Sequence, residues 1–202
     1  MKMFKKINIG LVLTIIVVLA VIVYSISVEA QRKNSKEEIR KTCEEYISLV
    51  DKYMVLPEDA QQLGAEAKNI NIDNYKNNMV NDLKGVMVSE QAAEIQKTII
   101  TDITEKDLLN TSNFATNYDR KITKIKSYEF DGNQVTVVFE SKITSKQKYL
   151  DVNPENGEKK ERVKENSSDV KGDTITLEKK DGKWKVVYSN LTYGFDNYTN
   201  VM

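Results

Sequence analysis

The sequence predicts an α+β protein, in which an N-terminal transmembrane helix precedes helices packed on a curved antiparallel β-sheet. Three observations predict this class. An uncharged apolar run opens the chain, helical periodicity dominates residues 35–110, and period-two alternation dominates residues 120–191. Helices that precede a strand meander are typical of α+β folds. The roughly 170 residues beyond the apolar run are enough for one hydrophobic core.

The composition excludes several classes of function. The 202 residues include 30 basic and 30 acidic side chains, no histidine and one cysteine, Cys43. A zero net charge gives no global basic field, so no nucleic-acid partner is expected. Without histidine there is no imidazole base or ligand, and one cysteine makes neither an internal disulfide nor a thiolate cluster. We therefore expect no bound metal and no cofactor.

The apolar run Ile7–Val28 is 22 residues long and carries no charge. A helix of that length spans roughly 33 Å, enough for a hydrocarbon core of about 30 Å. A cleaved signal peptide is the alternative, because Lys2, Lys5 and Lys6 precede the run and Val28–Ala30 resembles a cleavage site. Signal-peptide apolar regions usually have only about 7–15 residues, which favours an uncleaved anchor that makes the membrane a partner of residues 7–28.

The predicted organisation has three parts: a cytoplasmic tail and anchor at 1–28, a polar linker at 29–34, and an extracytoplasmic domain at 35–202. Basic residues flank the anchor on both sides, so the positive-inside rule does not decide its orientation. The short basic N-terminus before a signal-anchor-like segment favours a cytoplasmic N-terminus. An abundance of lysine, asparagine and isoleucine indicates an AT-rich bacterial genome, and hence a single-pass protein of the bacterial cell envelope.

A first helix is predicted over Lys36–Met54, where Ser35 and Glu38 form a capping-box pattern. Its apolar positions recur every three or four residues and form one stripe: Ile39, Cys43, Tyr46, Ile47, Val50, Tyr53 and Met54. The stripe is shorter than a coiled-coil seam requires, so we interpret it as the core face of a globular helix. Cys43 is then a small buried hydrophobic residue, with no histidine to activate it.

Shorter helices are predicted next. Pro57 begins one of them, and a second is indicated by Tyr75, Met79 and Leu83 and ends at Gly85. Ser89 is the expected N-cap of a third helix. Its inward positions are predicted to be Ala92, Ile95, Ile99 and Ile103, although residues 98–103 (TIITDI) could instead form a short strand. A separate short turn is predicted at Glu105–Leu109.

Two β-hairpins are predicted in the C-terminal half. Strands 120–130 and 134–148 join at residues 131–133, and strands 174–179 and 183–191 join at Asp181–Gly182. Alternation predicts one buried face on the second strand: Val135, Val137, Phe139, Ser141 and Ile143. The polar stretch 151–172 is either a mobile loop or an extended protruding hairpin that turns at Asn156–Gly157.

The closing hairpin carries a resemblance. Asp181-Gly182-Lys183-Trp184 and Val186, after a membrane anchor, a long helix and a strand meander, resemble the nuclear-transport-factor-2-like (cystatin-like cone) superfamily. The resemblance covers roughly residues 35–195 and implies a cone-like meander. Anchored bacterial domains of this type are similar to the inner-membrane scaffold subunits of type IV secretion and conjugation systems. Enzymes of the superfamily use Asp, His or Tyr inside the cone, and no catalytic residue of this chain matches that pattern.

Aromatic residues near the C-terminus are the candidate site residues. Trp184 and Tyr188 are possible pocket-lining residues, although a tryptophan that alternates with valine is more often part of the core. Tyr193, Phe195 and Tyr198 are possible partner contacts, because aromatic residues are enriched at interfaces. Acidic residues at Asp102, Glu105 and Asp107 could bind a cation, but we interpret them as charges that favour a helix N-terminus.

The sequence therefore favours a non-enzymatic interaction or assembly domain, anchored in the membrane and lying outside the cytoplasm. The resemblance adds a role in a conjugation or secretion apparatus. Its partners would be other envelope proteins or further copies of the chain. The alternative is a ligand-binding or enzymatic cone domain with an internal pocket. A third option is a cytoplasmic domain, because the charges that flank the anchor do not decide its orientation.

Overall fold

A computed structural model describes residues 9–61, 63, 72–109 and 113–193, with the backbone alone at 9–12, 30–31 and 106–109. The fold is α+β, as predicted, and the chain forms two compact units, residues 1–39 and residues 40–202. The regular elements, in chain order, are α1 (Ile9–Lys52), a 3₁₀ turn (Glu58–Ala60), α2 (Asp73–Val86), α3 (Glu90–Leu109), β1 (Asn113–Asp131), β2 (Gln134–Val152), β3 (Lys159–Lys180) and β4 (Lys183–Asn190).

Helix α1 corrects the prediction that a separate helix begins at Ser35. It is one continuous helix, so residues 29–34 are helical and do not form an irregular linker. The physical reason is local: between Gly10 and Pro57 the sequence has no glycine or proline, and the polar stretch consists mostly of good helix formers. A capping-box pattern therefore occurs here inside a helix.

The first unit contains the apolar part of α1. Among the described residues, one helix is long and apolar enough to cross a membrane. Its apolar side chains are exposed throughout, from Leu13 to Ile26. A soluble protein rarely exposes an apolar surface of this length, so the first unit is consistent with a single membrane span.

The second unit contains the hydrophobic core, to which α1 contributes the predicted stripe. Cys43, Tyr46, Ile47, Val50, Tyr53 and Met54 are all buried. In α2 the buried side chains are Met79, Val80 and Leu83, and the helix ends one residue beyond Gly85. A helical turn also follows Pro57, as predicted, but over the described residues it is a three-residue 3₁₀ turn rather than a longer helix.

Helix α3 begins at the predicted cap but presents a different face to the core. Ser89 Oγ accepts the N–H of Ala92 at 3.1 Å. Ile95 is 58% exposed and Ile99 is also exposed, whereas Ala93, Gln96, Ile100 and Thr104 are buried. The prediction was wrong because Gln96 and Thr104 satisfy their polar atoms internally and so can lie on the buried face. The predicted short turn at Glu105–Leu109 is the last part of α3.

The four strands form one antiparallel sheet in the order β1-β2-β3-β4. β1 begins at Asn113, seven residues before the predicted start, and turns into β2 through Gly132, which has a φ of +57°. The predicted buried face of β2 is confirmed: Val135, Val137, Phe139, Ser141 and Ile143 are all buried. The stretch 151–172 is the extended hairpin rather than a loop, with Gly157 in its turn at a φ of +70°.

A β-bulge on β4 changes which side chains face the core. Leu177 is opposite Val186 and Thr176 is opposite Tyr188, so Val187 is the extra residue. Beyond the bulge the alternation is reversed: Tyr188 is 56% exposed, while Ser189 shares a hydrogen bond of 2.7 Å with the buried Tyr46.

The outer edge of β4 is covered by the connection between α2 and α3. Met87 forms a parallel bridge with Val186, and the N–H of Val88 donates to the carbonyl of Val186 at 2.8 Å. Two lysine side chains reinforce this connection: Lys180 Nζ donates to the carbonyl of Val88, and Lys185 Nζ to that of Gly85. The connection therefore acts as a short fifth partner of the sheet.

Candidate functional site

A buried ion pair lies where β1, β2, β3 and α1 converge. Arg120 on β1 and Asp173 on β3 are both 0% exposed in their side chains, and Arg120 Nη1 lies 2.5 Å from Asp173 Oδ2. A charge removed from water is costly unless it is paired and hydrogen-bonded. These two side chains can therefore remain buried only because further polar groups surround them.

Those groups come from separate parts of the chain. Asp173 Oδ2 also accepts the hydroxyl of Ser141 on β2, and Asp173 Oδ1 accepts the N–H of Thr192, both at 2.8 Å. Arg120 Nη2 donates to the carbonyl of Thr192 at 2.6 Å and to Tyr118 Oη at 3.2 Å. We call Asp51, Tyr118, Arg120, Ser141, Asp173 and Thr192 the Arg120 network. It ties the segment after β4 to the centre of the sheet.

Asp51, in the last turn of α1, completes the network. Its Oδ2 accepts the backbone N–H of Arg120 at 2.5 Å, while its buried Oδ1 has no hydrogen-bond partner among the described residues. Burial raises the pKa of Asp51 to about 7, against the opposing effects of the Arg120 N–H and the Arg120 charge. The carboxyl group therefore titrates close to neutral pH.

Tyr193 belongs to this region rather than to an exposed surface. Its hydroxyl accepts a hydrogen bond from Gln96 Nε2 on α3 at 3.1 Å, and the Arg120 guanidinium lies 5.7 Å from its ring centroid. Burial raises the pKa of Tyr193. Tyr193 therefore anchors the segment after β4 against the core. The other two predicted contact residues, Phe195 and Tyr198, lie outside the described residues.

An open groove of about 540 Å³ runs between α1 and β1 beside the network. Ser48, Asp51 and Lys52 line it from α1, and Arg120, Lys121 and Ile122 line it from β1. Its charged side chains are of both signs, so it has no strong preference for anions or cations. A small polar ligand bound in this groove would lie next to Asp51.

A second groove, of about 1030 Å³, lies between the end of α1 and α2. Lys52 Nζ and Tyr53 Oη both donate to Asp82 Oδ2 at 2.7 Å on its wall. The ring of Tyr75 meets that of Tyr53 edge to face, and the Tyr75 hydroxyl donates to the carbonyl of Tyr53. These contacts fasten α2 to α1.

Neither predicted pocket-lining residue lines these two grooves. Trp184 is 8% exposed, on the β4 face that packs into the core, and the Lys179 ammonium lies 5.7 Å from its ring centroid. Tyr188 points the other way because of the bulge at Val187. The structure therefore does not bring Trp184 and Tyr188 together in one pocket.

The sequence suggested that Asp102, Glu105 and Asp107 lie at the start of a helix. They lie instead in the second half of α3, which already begins at Glu90. Glu105 pairs with Lys76 of α2 at 2.6 Å, and Asp102 is exposed. The side chain of Asp107 lies outside the described residues. In the part of the chain that the structure describes, no group of three or more His, Cys, Asp or Glu residues could hold a metal ion.

The Arg120 network is the feature that sequence reasoning missed. Arginine occurs at only four positions, whereas lysine supplies the other basic residues. An arginine within a predicted strand could therefore have indicated a buried ion pair. Tyr118 and Arg120 also continue the inward alternation of β1 toward its start. No sequence signal indicated that Asp51 and Asp173, far apart in the chain, would meet them.

No protein-family model matches the chain, and no curated protein matches it significantly.

Proposed function

We propose that this chain is a single-pass membrane protein whose C-terminal domain lies outside the cytoplasm and acts as a non-enzymatic interaction or assembly domain. The observation that carries the proposal is the exposed apolar part of α1, which makes an anchor of one end of the chain. The other end is an α+β domain with its own core. Such a domain works at a membrane surface, where tethering concentrates it near its partners.

The chemistry of the buried polar groups supports a structural role for them. Arg120 and Asp173 are hydrogen-bonded to each other, and Asp173 also accepts hydrogen bonds from Ser141 and Thr192. Their charged groups therefore stabilise the fold rather than bind a substrate. Cys43 is buried, and burial raises the pKa of its thiol to about 12, which disfavours the nucleophilic thiolate. Both observations favour binding over catalysis.

The finer parts of the proposal are a cone-like curvature of the sheet and a place in a conjugation or secretion apparatus. The consecutive strand order and the register shifts on β1 and β4 support curvature, because bulges bend a sheet. The closing hairpin at Asp181–Gly182 supports the superfamily resemblance. The proposed place in a conjugation or secretion apparatus is supported by that resemblance alone.

Topology is the first thing to test. In a Cys43→Ala background, Ser167→Cys should react with a charged, membrane-impermeant maleimide on intact cells, because Ser167 is exposed on β3. Lys2→Cys, on the other side of the anchor, is the matched control and should react only after lysis. Labelling of Lys2→Cys but not of Ser167→Cys would place the domain in the cytoplasm and overturn the proposed location.

Interaction is tested by photo-cross-linking in living cells. A benzophenone amino acid at the exposed Val163 of β3 or at the exposed Ile95 of α3 should give adducts larger than the 23.1 kDa chain. The buried Val135 is the matched control and should give none. An absence of adducts at every exposed position would count against an interaction domain.

One observation favours the alternative, a ligand-binding domain. The groove beside Asp51 is large enough for a small molecule and contains a buried carboxyl group with a displaced pKa, a common feature of functional sites. A ligand bound there should protect Lys121 at the groove rim from amine-reactive labelling, and Asp51→Asn should abolish that protection. Lys183, on β4 and outside the groove lining, is the control.

A further inference from the structure

Among the described residues, the sheet has two protected edges, on β1 and β4, and a third edge that no described segment covers. On β1, register shifts follow Ala115, Ile122 and Ile125, and bulges of this kind prevent another strand from pairing. On β4, the connection through Met87 and Val88 occupies the edge. The remaining edge belongs to β3, which extends well beyond the end of β4.

This uncovered edge is long and regular. β4 pairs with β3 only over Thr174–Lys180, and no described strand pairs on that side of residues 159–171. On its other side this stretch pairs with β2 from Lys171 to Lys159 without a register shift. At about 3.3 Å per residue the free edge is about 40 Å long. Its side chains are exposed on both faces, apart from the half-buried Asn166 and the buried Val170.

A regular edge of this length presents a row of backbone donors and acceptors that can bind an added strand. We propose that residues 161–171 of β3 pair antiparallel with the same residues of a second copy of this chain, across a twofold axis at Asn166. This inference rests on the proposed interaction role and names its partner. It joins the sheets of two membrane-anchored chains into one continuous sheet.

The charges along the edge select both the partner and the register. In a twofold antiparallel pair, residues equally distant from the axis lie opposite each other. An axis at Asn166 places Glu161 opposite Lys171 of the second copy, twice, and opposes no like charges. Every axis from residue 160 to 165, and the axis at 167, opposes like charges, such as Glu165 with Asp169 for the axis at 167. An axis at Ser168 avoids them too but pairs only residues 165–171.

The uncharged centre of the edge supports the same register. Asn166, Ser167 and Ser168 carry no charge, so the two strands can approach closely at the axis. Val163 is 62% exposed and would lie opposite Asp169 of the second copy, three residues from the axis. The second copy would cover part of this apolar side chain. The membrane anchor favours the pairing further by holding two copies in one plane.

Disulfide cross-linking of the full-length chain in isolated membranes tests the register. In a Cys43→Ala background, Asn166→Cys should form a disulfide-linked dimer of twice the 23.1 kDa chain mass under mild oxidation, because opposed residues have Cα atoms about 4.5–5.5 Å apart. Asp169→Cys is the matched control and should not link to itself, since its two copies would lie about 20 Å apart. Co-expressed Val163→Cys and Asp169→Cys chains should link to each other.

Charge reversal in the Asn166→Cys, Cys43→Ala background tests the same pairing. Glu161→Lys alone and Lys171→Glu alone each place like charges opposite each other and should lower the yield of cross-linked dimer at least tenfold. The double variant Glu161→Lys/Lys171→Glu restores opposite charges and should recover most of the dimer. Lys164→Glu, opposite the neutral Ser168, should have little effect.

Three results would overturn the inference. One is a monomeric chain without an Asn166→Cys disulfide. Another is equal self-linking at positions 166 and 169, which indicates random collision. A third is failure of the double charge reversal to restore the dimer. Benzophenone adducts from Val163 to a different protein would overturn this inference alone, whereas no adduct from any exposed position would also count against the proposed function.

Discussion

Asp51 on α1 accepts the backbone N–H of Arg120 on β1, with 2.5 Å between the nitrogen and Oδ2. Because β1 is the outermost strand, a helix side chain here satisfies an N–H that a neighbouring strand would otherwise bind. The same residue pair therefore protects the sheet edge, fixes the end of α1 against the sheet, and places a buried carboxyl group beside the Arg120–Asp173 ion pair. The arrangement has consequences for stability that can be measured.

The fragment of residues 31–202 is expected to be soluble and to unfold cooperatively without the anchor. The buried side chains of the second unit come from residues 40–202, including large ones such as Tyr46 and Phe139, so the core does not depend on the apolar run. Circular dichroism during heating, with limited proteolysis, checks this. A fragment without a cooperative transition, digested throughout its length, would show that the core needs the anchor.

Stability should depend on pH through Asp51. Its pKa is about 7 in the folded chain and near its ordinary value of 3.8 in the unfolded chain, so between these pH values only the folded state holds the proton. Asp51 therefore stabilises the fold most below about pH 4. This contribution falls as pH rises and is lost above about pH 7, by at most about 1.4 kcal/mol per pH unit.

The Asp51→Asn variant isolates that effect, because an amide keeps the acceptor for the Arg120 N–H and does not ionise. Urea denaturation of residues 31–202 should give similar free energies of unfolding for both proteins near pH 4. At about pH 8 the variant should be the more stable. Other carboxyl groups, such as Asp82, whose pKa the Lys52 ammonium lowers, titrate in both proteins and cancel in the difference. Parallel stability curves for the two proteins would contradict the raised pKa.

Replacing one member of the buried ion pair should reduce the free energy of unfolding more than replacing both members. Arg120→Leu leaves Asp173 as an unpaired buried charge and should destabilise the fragment by roughly 3–5 kcal/mol. The double variant Arg120→Leu/Asp173→Leu should be more stable than the sum of the single variants predicts, because no charge is left uncompensated. Lys121→Leu, next in sequence but exposed, is the control and should change stability little. Additive effects of the two substitutions would show that the pair is not coupled.

The parts of the fold that the sequence predicted are those in which hydrophobic periodicity is regular. The stripe of α1 and the alternation from Val135 to Ile143 on β2 contain few buried polar residues, so pattern and burial agree there. The Asn156–Gly157 turn was also recognisable, because glycine tolerates the positive φ that the turn requires. Local physics was sufficient in these places.

The predictions that were wrong or missing concern residues whose positions depend on contacts with residues far away in the sequence. Gln96 is buried on α3 because it bonds to Tyr193, and Ile95 is exposed as a consequence. Tyr188 faces outward because of a single bulge at Val187. Valine is an ordinary strand residue, so the sequence gives no signal that a bulge occurs there. The Arg120 network joins residues from α1, all the long strands and the segment after β4, so only the folded chain reveals it.

Two serines separate a real helix cap from a sequence pattern. Ser89→Ala removes the side-chain acceptor for the Ala92 N–H at the start of α3 and should destabilise residues 31–202 by about 1 kcal/mol. Ser35→Ala changes a residue inside α1, where alanine is the better helix former, and should be neutral or slightly stabilising. Thermal denaturation of both variants checks the difference. A comparable loss for Ser35→Ala would indicate that a helix does begin there.

Cys43 should react with thiol reagents only when the domain unfolds. The side chain is 0% exposed on the core face of α1, and burial raises its pKa to about 12, so at about pH 8 only about one thiol in 10⁴ is ionised. The fragment of residues 31–202 should therefore resist a coloured disulfide reagent in native buffer and react fully in concentrated guanidinium chloride. The matched control is Ser167→Cys in the same fragment, whose exposed thiol should react at once. If native Cys43 reacted as fast as that control, the stripe of α1 would have to be open to solvent, and the core that it shares with the sheet would not be closed.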